Sequence, residues 1–488
     1  MEKKKKKQTI RIVSRVMSVI ALFIMAFFLV FLYKLNVLPM KFYALICAVL
    51  ALLEAIYLFF TFNKKIKTGI LVFLDIFAVI IMIVEGFGAY KLYQTDRFLE
   101  EDMQVTETKD YYYIAVNKDS KFNELKDIEG KFVYYYNDNE DYETIIKNVK
   151  AKVAVVLEEV TDYSALLDDV LTNKNKIILI DEGSYDAYFE QKEEESGNHD
   201  RDNVRILEKF EIVSKLEISD SKKDITKEPF IIYLSGIDTR SNSMPKKSLS
   251  DVNMYLVVNP KTRQILMVSV PRDYYVQLHG TKGLKDKLTH AGLRGGIKLS
   301  KATMEDLLGY KADYYVRVNF NAVINLVDAI GGITINNDLN HSFSCWTDRG
   351  CVFKPGKNKV GGRCALAFAR ERHAYISGDR HRGENQQQVI QLIVNKLTSS
   401  KSLIKNYDKI LKALKGSFES NLSTDNITSL VQFQLNDMRG WNFSTKNLDG
   451  PTGMTACYSF PKSKLSVMYQ NEKTIEAAKK EIKKVLGK

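Results

Sequence analysis

The sequence predicts an α/β protein built from membrane-spanning N-terminal helices, a small α/β domain and a larger α/β domain. Three long apolar runs begin the chain, and from Tyr111 short β-like runs alternate with helix-like ones. The polar segment 219–228 interrupts this alternation just before an apolar strand that starts at Phe230. At 488 residues the chain is longer than a single typical core supports, so several domains are expected.

We place three domains at 1–95, 96–224 and 225–488. The first holds a basic tail and three apolar runs of about 20 residues, the length that a helix needs to cross a bilayer. These runs are Val16–Tyr33, Phe42–Phe62 and Gly69–Tyr90. No small-residue cleavage site follows the first run, and further apolar runs come after it, so a cleaved signal peptide is the weaker interpretation.

The basic residues around the spans predict their orientation. Lys3–Lys7 precede the first span, and Lys64, Lys65 and Lys67 lie between the second and the third. Both places are then cytoplasmic, because short loops rich in lysine and arginine stay on that side of the membrane. After an odd number of spans, the chain beyond about Asp96 lies outside. We therefore expect a multi-pass protein of the cell membrane whose domain at 225–488 is extracytoplasmic.

The middle domain combines strand-like and helix-like runs, which is typical of an α/β domain. The strands are Tyr111–Val116, Lys131–Tyr136, Val153–Val156 and Ile177–Ile180, and the helices are Tyr142–Val149 and Tyr163–Leu171. The charged stretch 191–202 is polar enough to be an exposed loop. No grouping of acid, base and nucleophile stands out here, so a binding or spacer module is expected.

Charged residues flank three closely spaced strands at the start of the third domain. The strands are Phe230–Ile237, Asn253–Val258 and Gln264–Val270. If neighbours pair antiparallel, the end of the first, the beginning of the second and the end of the third share one edge of the sheet. Asp238 and Arg240 follow the first strand. Asp251 precedes the second, and Arg272 follows the third. Two carboxylates and two guanidinium groups therefore converge.

This convergence suits a magnesium-assisted phosphate site. Mg²⁺ takes oxygen ligands and commonly bridges protein carboxylates to substrate phosphates. Arginine presents a planar fork that holds phosphate oxygens. The alternative is that these are exposed turn residues that form only surface ion pairs, which contribute little to stability.

A second basic cluster lies in the segment ARERHAYISGDRHRGENQQQ. Its arginines are Arg370, Arg372, Arg380 and Arg382. A helix-like run follows, with Gln386 near its start, where backbone amides favour an anion. A solvated surface loop is the alternative, because Glu371, Asp379 and Glu384 dilute the positive charge.

The five cysteines form no CxxC pair and no His cluster accompanies them, which argues against a zinc site. Four of them, Cys345, Cys351, Cys364 and Cys457, lie on the side predicted to be exported, where disulfides can persist. Cys345 and Cys351 flank a short loop. We predict the pairs Cys345–Cys351 and Cys364–Cys457, with free thiols as the alternative.

Six segments, in this order, resemble the successive motifs of the LytR–CpsA–Psr family: GIDTR, SDVNMYLVVNPKTRQILMVSVPRD, KLTHAGLRGG, VDAIGGI, GGRCALAFARER and GDRHRGENQQQVI. They cover roughly Ile225–Thr398. The three spans and the intervening domain resemble the capsule-associated streptococcal branch of that family. The resemblance implies a central β-sheet flanked by helices.

The resemblance also implies a transferase. Members move anionic glycopolymers, such as capsular polysaccharide or teichoic acid, from undecaprenyl pyrophosphate to peptidoglycan, so the implied partners are this lipid-linked donor, peptidoglycan and membrane lipid. The implied ligands of Mg²⁺, or of Mn²⁺ in its place, are Asp238 and Asp251. The implied pyrophosphate and phosphosugar ligands are Arg240, Arg272, Arg370, Arg372, Arg382 and Gln386. The expected catalytic residues are Asp251, Arg272 and Arg372.

Two positions depart from the family pattern. Many members carry Arg-Gln where this chain has Asn385 and Gln386, and many carry Arg where this chain has Leu249. Arg380 is an additional arginine that could replace the missing one. A weaker hold on the pyrophosphate or a different substrate head group is therefore expected.

The net charge of +12 favours an anionic partner without choosing among nucleic acid, membrane and phosphate polymer. No helix-turn-helix pattern is evident and the motifs follow an odd number of spans, so we expect no nucleic-acid partner and not a transcriptional regulator. Two further functions could use the same arginines: a lipid pyrophosphatase that uses water, and a non-catalytic glycan-binding regulator of polymer assembly.

Overall fold

The computed structural model describes residues 2–36, 38–97, 107–137, 141–196, 200–215, 221–237, 244–399, 409–410, 412–413 and 418–488. The chain divides into two compact units. The first comprises Met1–Asp102 and Ser423–Arg439, and the second comprises Met103–Leu422 and Gly440–Lys488.

The helices and strands are numbered in chain order. The helices are α1 (Glu2–Lys34), α2 (Met40–Phe62), α3 (Thr68–Arg97), α4 (Asp141–Lys152), α5 (Tyr163–Thr172), α6 (Glu182–Ser196), α7 (Leu288–Leu308), α8 (Phe320–Ala329), α9 (Gly362–Arg370), α10 (Asp379–Leu397), α11 (Thr424–Asp437) and α12 (Glu472–Val485). The strands are β1 (Glu107–Asn117), β2 (Phe132–Tyr136), β3 (Val156–Val160), β4 (Ile177–Asp181), β5 (Val204–Lys215), β6 (Phe230–Ile237), β7 (Ser250–Asn259), β8 (Gln264–Val270), β9 (Tyr275–Gln277), β10 (Lys285–Lys287), β11 (Tyr314–Asn319), β12 (Ile333–Asn337), β13 (Phe343–Ser344), β14 (Val352–Phe353), β15 (Gly356–Val360), β16 (Phe418–Ser420), β17 (Asn442–Asn447), β18 (Thr452–Cys457) and β19 (Phe460–Met468).

Helices α1, α2, α3 and α11 belong to the first unit. The first three are long and apolar enough to cross a membrane, which confirms the predicted spans as apolar helices. Arg11 near the basic start of α1 donates to the carbonyl oxygens of Lys64 and Ile66, at 2.9 and 2.6 Å. At the other end of α2, Gln432 of α11 donates to Asn36 Oδ1 at 2.8 Å. The basic tail and α11 therefore lie at opposite ends of this helical unit.

A five-stranded sheet with the order β3-β2-β4-β1-β5 forms the first part of the second unit. Strand β1 pairs antiparallel with β4 and β5, whereas β2 pairs parallel with β3 and β4. The predicted α/β character of this region is confirmed. The predicted strand at Val153–Val156 is displaced, because α4 continues to Lys152 and the strand begins only at Val156.

The charged stretch that begins at residue 191 was predicted to be a loop, but its first part belongs to α6. Tyr185, Tyr188 and Phe189 are buried and anchor this helix in the core. Lys192 continues the helix and forms an ion pair with Asp168 at 3.1 Å. Burial of the preceding aromatic side chains therefore overrides the polar composition of the stretch.

A six-stranded sheet with the order β16-β11-β6-β7-β8-β17 forms the second part of this unit. Helices α7 and α12 pack on one face, where Val268 and Val270 point into a core with Leu288 and Ile482. Helix α10 lies over the opposite face, because Gly383 faces Ser269, the residue between those two valines. The central sheet flanked by helices, implied by the family resemblance, is confirmed.

The five-stranded sheet and the two-stranded sheet of β18 and β19 share a hydrophobic cluster. Tyr113, Leu166 and Ile178 from the first sheet region pack with Phe460 and Leu465 of β19. The predicted boundary at 224 and 225 stays a prediction, but the two regions that it separates are packed together in this unit.

The predicted disulfides are wrong. Cys351 is bonded to Cys364 with a Cα–Cα distance of 5.3 Å, and Cys345 and Cys457 are buried free thiols. Cys345 and Cys351 do lie next to each other, since the Cys345 amide donates to the Cys351 carbonyl, but the first turn of α9 brings Cys364 to Cys351. Cys457 belongs to the separate cluster under the first sheet. Burial raises the pKa of both free thiols to about 12.

Candidate active site

The predicted edge of the sheet is present. Strands β6, β7 and β8 pair antiparallel, with Ile237 opposite Ser250 and Asn253 opposite Val270. The start of β7 and the end of β8 consequently lie side by side, and Arg272 Nη1 donates to Asp251 Oδ1 at 3.1 Å. Arg272 is only 7 % exposed. The sequence therefore placed this carboxylate–guanidinium pair correctly.

The predicted ligands Asp238 and Arg240 lie outside the described residues. They follow β6, whose last residue pairs with Ser250 at the same edge. Their roles stay predictions.

The backbone that carries Arg272 is held from both sides. The Tyr274 amide donates to the Pro271 carbonyl at 3.0 Å, which forms a turn directly after β8. The Thr289 amide at the start of α7 donates to the Arg272 carbonyl at 2.9 Å. Asp273 forms an ion pair with Lys287. These contacts fix the backbone of Arg272, which limits the conformational entropy that its side chain loses when a ligand binds.

Helix α10 forms the opposite wall of a cleft of about 300 Å³ at this edge. The lining includes Asp379, Arg380, Arg382 and Gln386 from the first turns of this helix, with Asp251 and Arg272 from the sheet. Gly383 suits this close approach, because a Cβ atom there would lie 3.2 Å from Ser269 Oγ, a tight contact. Two of the predicted substrate ligands in the second basic cluster, Arg382 and Gln386, thus reach the same cleft as Arg272.

The electrostatics of the cleft favour an anion. Burial alone would raise the pKa of Asp251, but Arg272, Arg382 and Arg370 hold it below its ordinary value. Burial and the neighbouring Arg272 guanidinium lower the pKa of Arg382. Asp251 is therefore ionised at neutral pH, and the arginines repel each other until a negatively charged group binds between them.

The other arginines of the cluster differ in position. Arg370 lies over the Phe320 ring, 4.4 Å from its centroid, and is not among the residues lining the cleft. Arg372 Nη1 lies 4.0 Å from Asp379 Oδ1, so this carboxylate connects it to the cleft wall. Arg380 lines the cleft and forms an ion pair with Asp449 at 3.2 Å.

Asn385 stands where many family members have arginine. It is not among the residues that line the cleft. Its amide nitrogen donates to the Phe368 carbonyl at 3.2 Å and it is 2 % exposed. Arg380 is the arginine that lines the cleft nearby, although it lies five positions earlier on the helix. Arg380 can therefore supply a guanidinium group to the cleft, but from a different position on the helix than the arginine that it would replace.

Sequence reasoning missed Asp379 and Asn447 as cleft residues. Asp379 pairs with Arg382 at 3.1 Å one helical turn away, a spacing that the sequence does display. Asn447 ends β17, which pairs parallel with β8, and Gln387 donates to its Oδ1 at 2.7 Å. No local signal predicts that β17 joins this edge, because it follows β8 by a long stretch of chain.

The cleft offers oxygen ligands of the kind that Mg²⁺ prefers: carboxylates of Asp251 and Asp379 and the amide of Asn447. Within the described ranges no group of three or more His, Cys, Asp or Glu is placed to hold a metal ion. A magnesium ion here would therefore depend on few protein carboxylates together with oxygens of a substrate, which fits its common use with phosphates.

The LytR_cpsA_psr family model matches residues 187–477. An Enterococcus faecalis relative, named polyisoprenyl-teichoic acid–peptidoglycan teichoic acid transferase TagU, is 37% identical over 205 residues, which are 42% of this chain and 65% of the relative. The chain thus spans slightly less than two thirds of that relative's length. A Bacillus licheniformis relative of the same name is 32% identical over 252 residues, 51% of this chain and 76% of the relative.

Among solved structures, a Streptococcus agalactiae protein is 29% identical with a TM-score of 0.48, covering 55% of this chain and 92% of that chain. The family model spans more than half of the chain and includes every described residue of the cleft. The chain belongs to the LytR_cpsA_psr family.

Proposed function

We propose that this protein transfers a phosphate-linked glycopolymer from a polyprenyl-pyrophosphate carrier to peptidoglycan. The observation that carries the proposal is the cleft in which Arg272, Arg380 and Arg382 surround the ionised Asp251. Guanidinium groups held close together repel each other, and a ligand with two adjacent phosphates relieves this repulsion when it binds between them. The names of the relatives, which are polyisoprenyl-teichoic acid–peptidoglycan teichoic acid transferases, support the same reaction.

In the proposed reaction a hydroxyl oxygen of the acceptor attacks the phosphorus that carries the glycan. A new P–O bond forms, the bond from this phosphorus to the oxygen of the lipid phosphate breaks, and the polyprenyl phosphate departs with the electron pair. The acceptor proton is released. Arg272 and Arg382 bind non-bridging and leaving oxygens, where negative charge grows in the transition state.

Asp251 is assigned a positioning and ligand role. Its pKa lies below its ordinary value, because the surrounding arginines outweigh its burial, so it is a poor acceptor for the proton of a hydroxyl group. It orients Arg272 through their 3.1 Å hydrogen bond. We propose that Asp251, with Asp238, also holds Mg²⁺, which would neutralise pyrophosphate charge when bound.

We further propose that the cleft lies outside the cell. In the first unit, α11 bonds to Asn36 in the loop between the first two spans. The basic start of α1 instead bonds to the loop at Lys64. The lysine-rich end of the spans stays cytoplasmic, so α11 lies at their external end. Helix α11 is part of the sequence that the family model matches, as are the residues of the cleft.

The proposal is tested with purified full-length protein, a polyprenyl-pyrophosphate-linked glycan and peptidoglycan fragments. We expect release of polyprenyl phosphate together with a glycan joined to peptidoglycan through a phosphodiester, both dependent on Mg²⁺. Release without the joined product would identify a pyrophosphatase that uses water. Binding of the lipid-linked glycan without either product would identify a non-catalytic glycan-binding protein.

A further inference from the structure

A second cleft lies within the first unit, between α1, α2 and α3. Its volume is about 500 Å³. Its apolar walls include Met25, Leu50, Leu53, Leu74, Phe77 and Ile81. Two acidic side chains line it as well, Glu54 from α2 and Glu85 from α3. Neither belongs to the proposed reaction.

Both acidic side chains lack a partner for at least part of their carboxylate. Glu85 is 4 % exposed, and within the described ranges no hydrogen bond or ion pair involves it. Glu54 Oε1 is buried and has no hydrogen-bond partner there. Asp75 in the same unit is different, because it accepts hydrogen bonds from Ser14 at 2.7 Å and from Tyr57 at 2.8 Å. The bundle thus satisfies one carboxylate internally and leaves two directed into an apolar cleft.

The two glutamates lie well inside their helices. At 1.5 Å rise per residue, Glu54 is about 12 Å from the nearer end of α2, and Glu85 is about 18 Å from the nearer end of α3. Polar groups at such depth in a membrane are costly unless a partner satisfies them, and they usually mark a functional site. A partner group within the membrane would satisfy both carboxyl groups.

The basic residues Arg15 and Lys91 lie toward the two ends of the three-helix bundle, away from the glutamates. Arg15 lies over the ring of Phe62, the last residue of α2, at 5.3 Å from its centroid. Lys91 donates to Gln94 at 3.2 Å toward the end of α3. A second copy of this chain in the same orientation would bring its basic residues to those same end positions, so it does not match the depth of the glutamates.

We propose that the cleft of Glu54 and Glu85 docks a transmembrane helix of another membrane protein that carries a lysine or arginine within its apolar span. The apolar walls would contact the flanking aliphatic side chains of that helix. Its cationic group would supply the missing hydrogen bonds and neutralise the carboxylates, which compensates both helices for polar groups in hydrocarbon.

The test uses the full-length protein in lipid nanodiscs and a synthetic transmembrane peptide of leucine and alanine with one central arginine. A matched peptide has leucine at that position. Measured by energy transfer between labels, the arginine peptide should bind about tenfold or more tightly than the leucine peptide, the size expected for interhelical polar contacts. The double variant Glu54→Gln/Glu85→Gln should lose this preference.

The control variant Glu158→Gln/Glu159→Gln removes two exposed carboxylates outside the spans and should keep the preference. Each variant's helix content and thermal unfolding are measured alongside. Should the double variant misfold, Glu54→Gln alone, at a half-buried position, provides the comparison. Equal binding of the two peptides to the folded wild-type protein would overturn the proposal. So would self-association of the chain that depends on Glu54 and Glu85, because the occupant would then be a second copy.

Discussion

At the scale of single residues, the chemistry of the cleft depends on how Arg272 and Asp251 hold each other. Arg272 is fixed by its backbone bonds and is directed to Asp251 by a 3.1 Å contact. The arginines keep Asp251 ionised against the effect of burial. The same carboxylate thus orients a guanidinium group and remains available to a cation.

A substitution at Asp251 separates these two roles. We expect Asp251→Ala to lower Mg²⁺-dependent transfer by about a hundredfold, the usual size for losing a group that stabilises developing charge. Raising the Mg²⁺ concentration should restore part of the activity if substrate phosphates still provide ligands. Initial rates across a magnesium titration measure this. A metal response unchanged from the wild-type protein, in a variant that remains folded, would remove Asp251 from the proposed metal site.

At the scale of secondary-structure elements, the edge strand β16 and its neighbour β11 contact the segment that leads to Asp251. Arg317 of β11 is 2 % exposed and pairs with Glu419 of β16 at 3.3 Å. Arg317 also donates to Ser248 Oγ at 2.6 Å and to the Pro245 carbonyl. This buried pair therefore connects the edge strand β16 and its neighbour β11 to the segment that precedes β7.

Removing one member of this pair should destabilise the protein strongly. Arg317→Met leaves Glu419 buried without its cation, which typically costs about 3–5 kcal/mol. The double variant Arg317→Met/Glu419→Leu should recover a large part of that loss, because no charge is then left buried. Chemical unfolding of the four proteins in the cycle measures the coupling. Additive losses would show that the pair does not act as a unit.

The strands and their shared edge could be predicted because strong hydrophobic runs and turn residues are local signals. Asp251 and Arg272 were placed by that logic alone. The Cys351–Cys364 bond was missed because it depends on how α9 packs beside the β13–β14 hairpin, which no local spacing records. The helix beyond residue 191 was missed because buried aromatic residues outside the charged stretch stabilise it.

At the scale of the whole molecule, the middle region is joined to the approach of the cleft. Asp110 of β1 is 5 % exposed and accepts the Lys246 amide at 2.8 Å, while Lys246 Nζ pairs with Asp141 at 2.9 Å. Gly296 lies against the same segment, since a Cβ atom there would be 2.4 Å from the Lys246 carbonyl oxygen. Residues from the spacer-like region thus support the segment that precedes Asp251.

We expect this contact to make the stability of the protein depend on pH. Burial raises the pKa of Asp110 to about 6, against the opposing effect of Lys246. Its folded-state pKa exceeds the unfolded value, so its favourable contribution is complete at low pH and is lost as the pH rises through about 6. Asp110→Asn, which keeps an acceptor oxygen, should stabilise the protein on the order of 1–3 kcal/mol above that pH and by progressively less toward pH 4.

Thermal unfolding of wild type and Asp110→Asn across this pH range provides the measurement. Asp200→Asn is the control variant. Asp200 is only partly buried and begins a short 3-10 helix, so the same exchange there removes a carboxyl group that is not in a buried environment. An Asp110→Asn effect that is constant from pH 4 to about 8 would show that titration of this carboxyl does not contribute.

The reaction at the cleft is tested most directly by the phosphodiester-linked product formed by Arg272→Ala and Arg272→Lys in the purified full-length protein. Both variants should lose transfer, Arg272→Ala by at least about a hundredfold, and lysine should restore little because an ammonium cannot reproduce the two-pronged contact with phosphate oxygens. The exposed Arg439→Ala exchange should transfer normally. Near-normal product formation by folded Arg272→Ala would contradict the account.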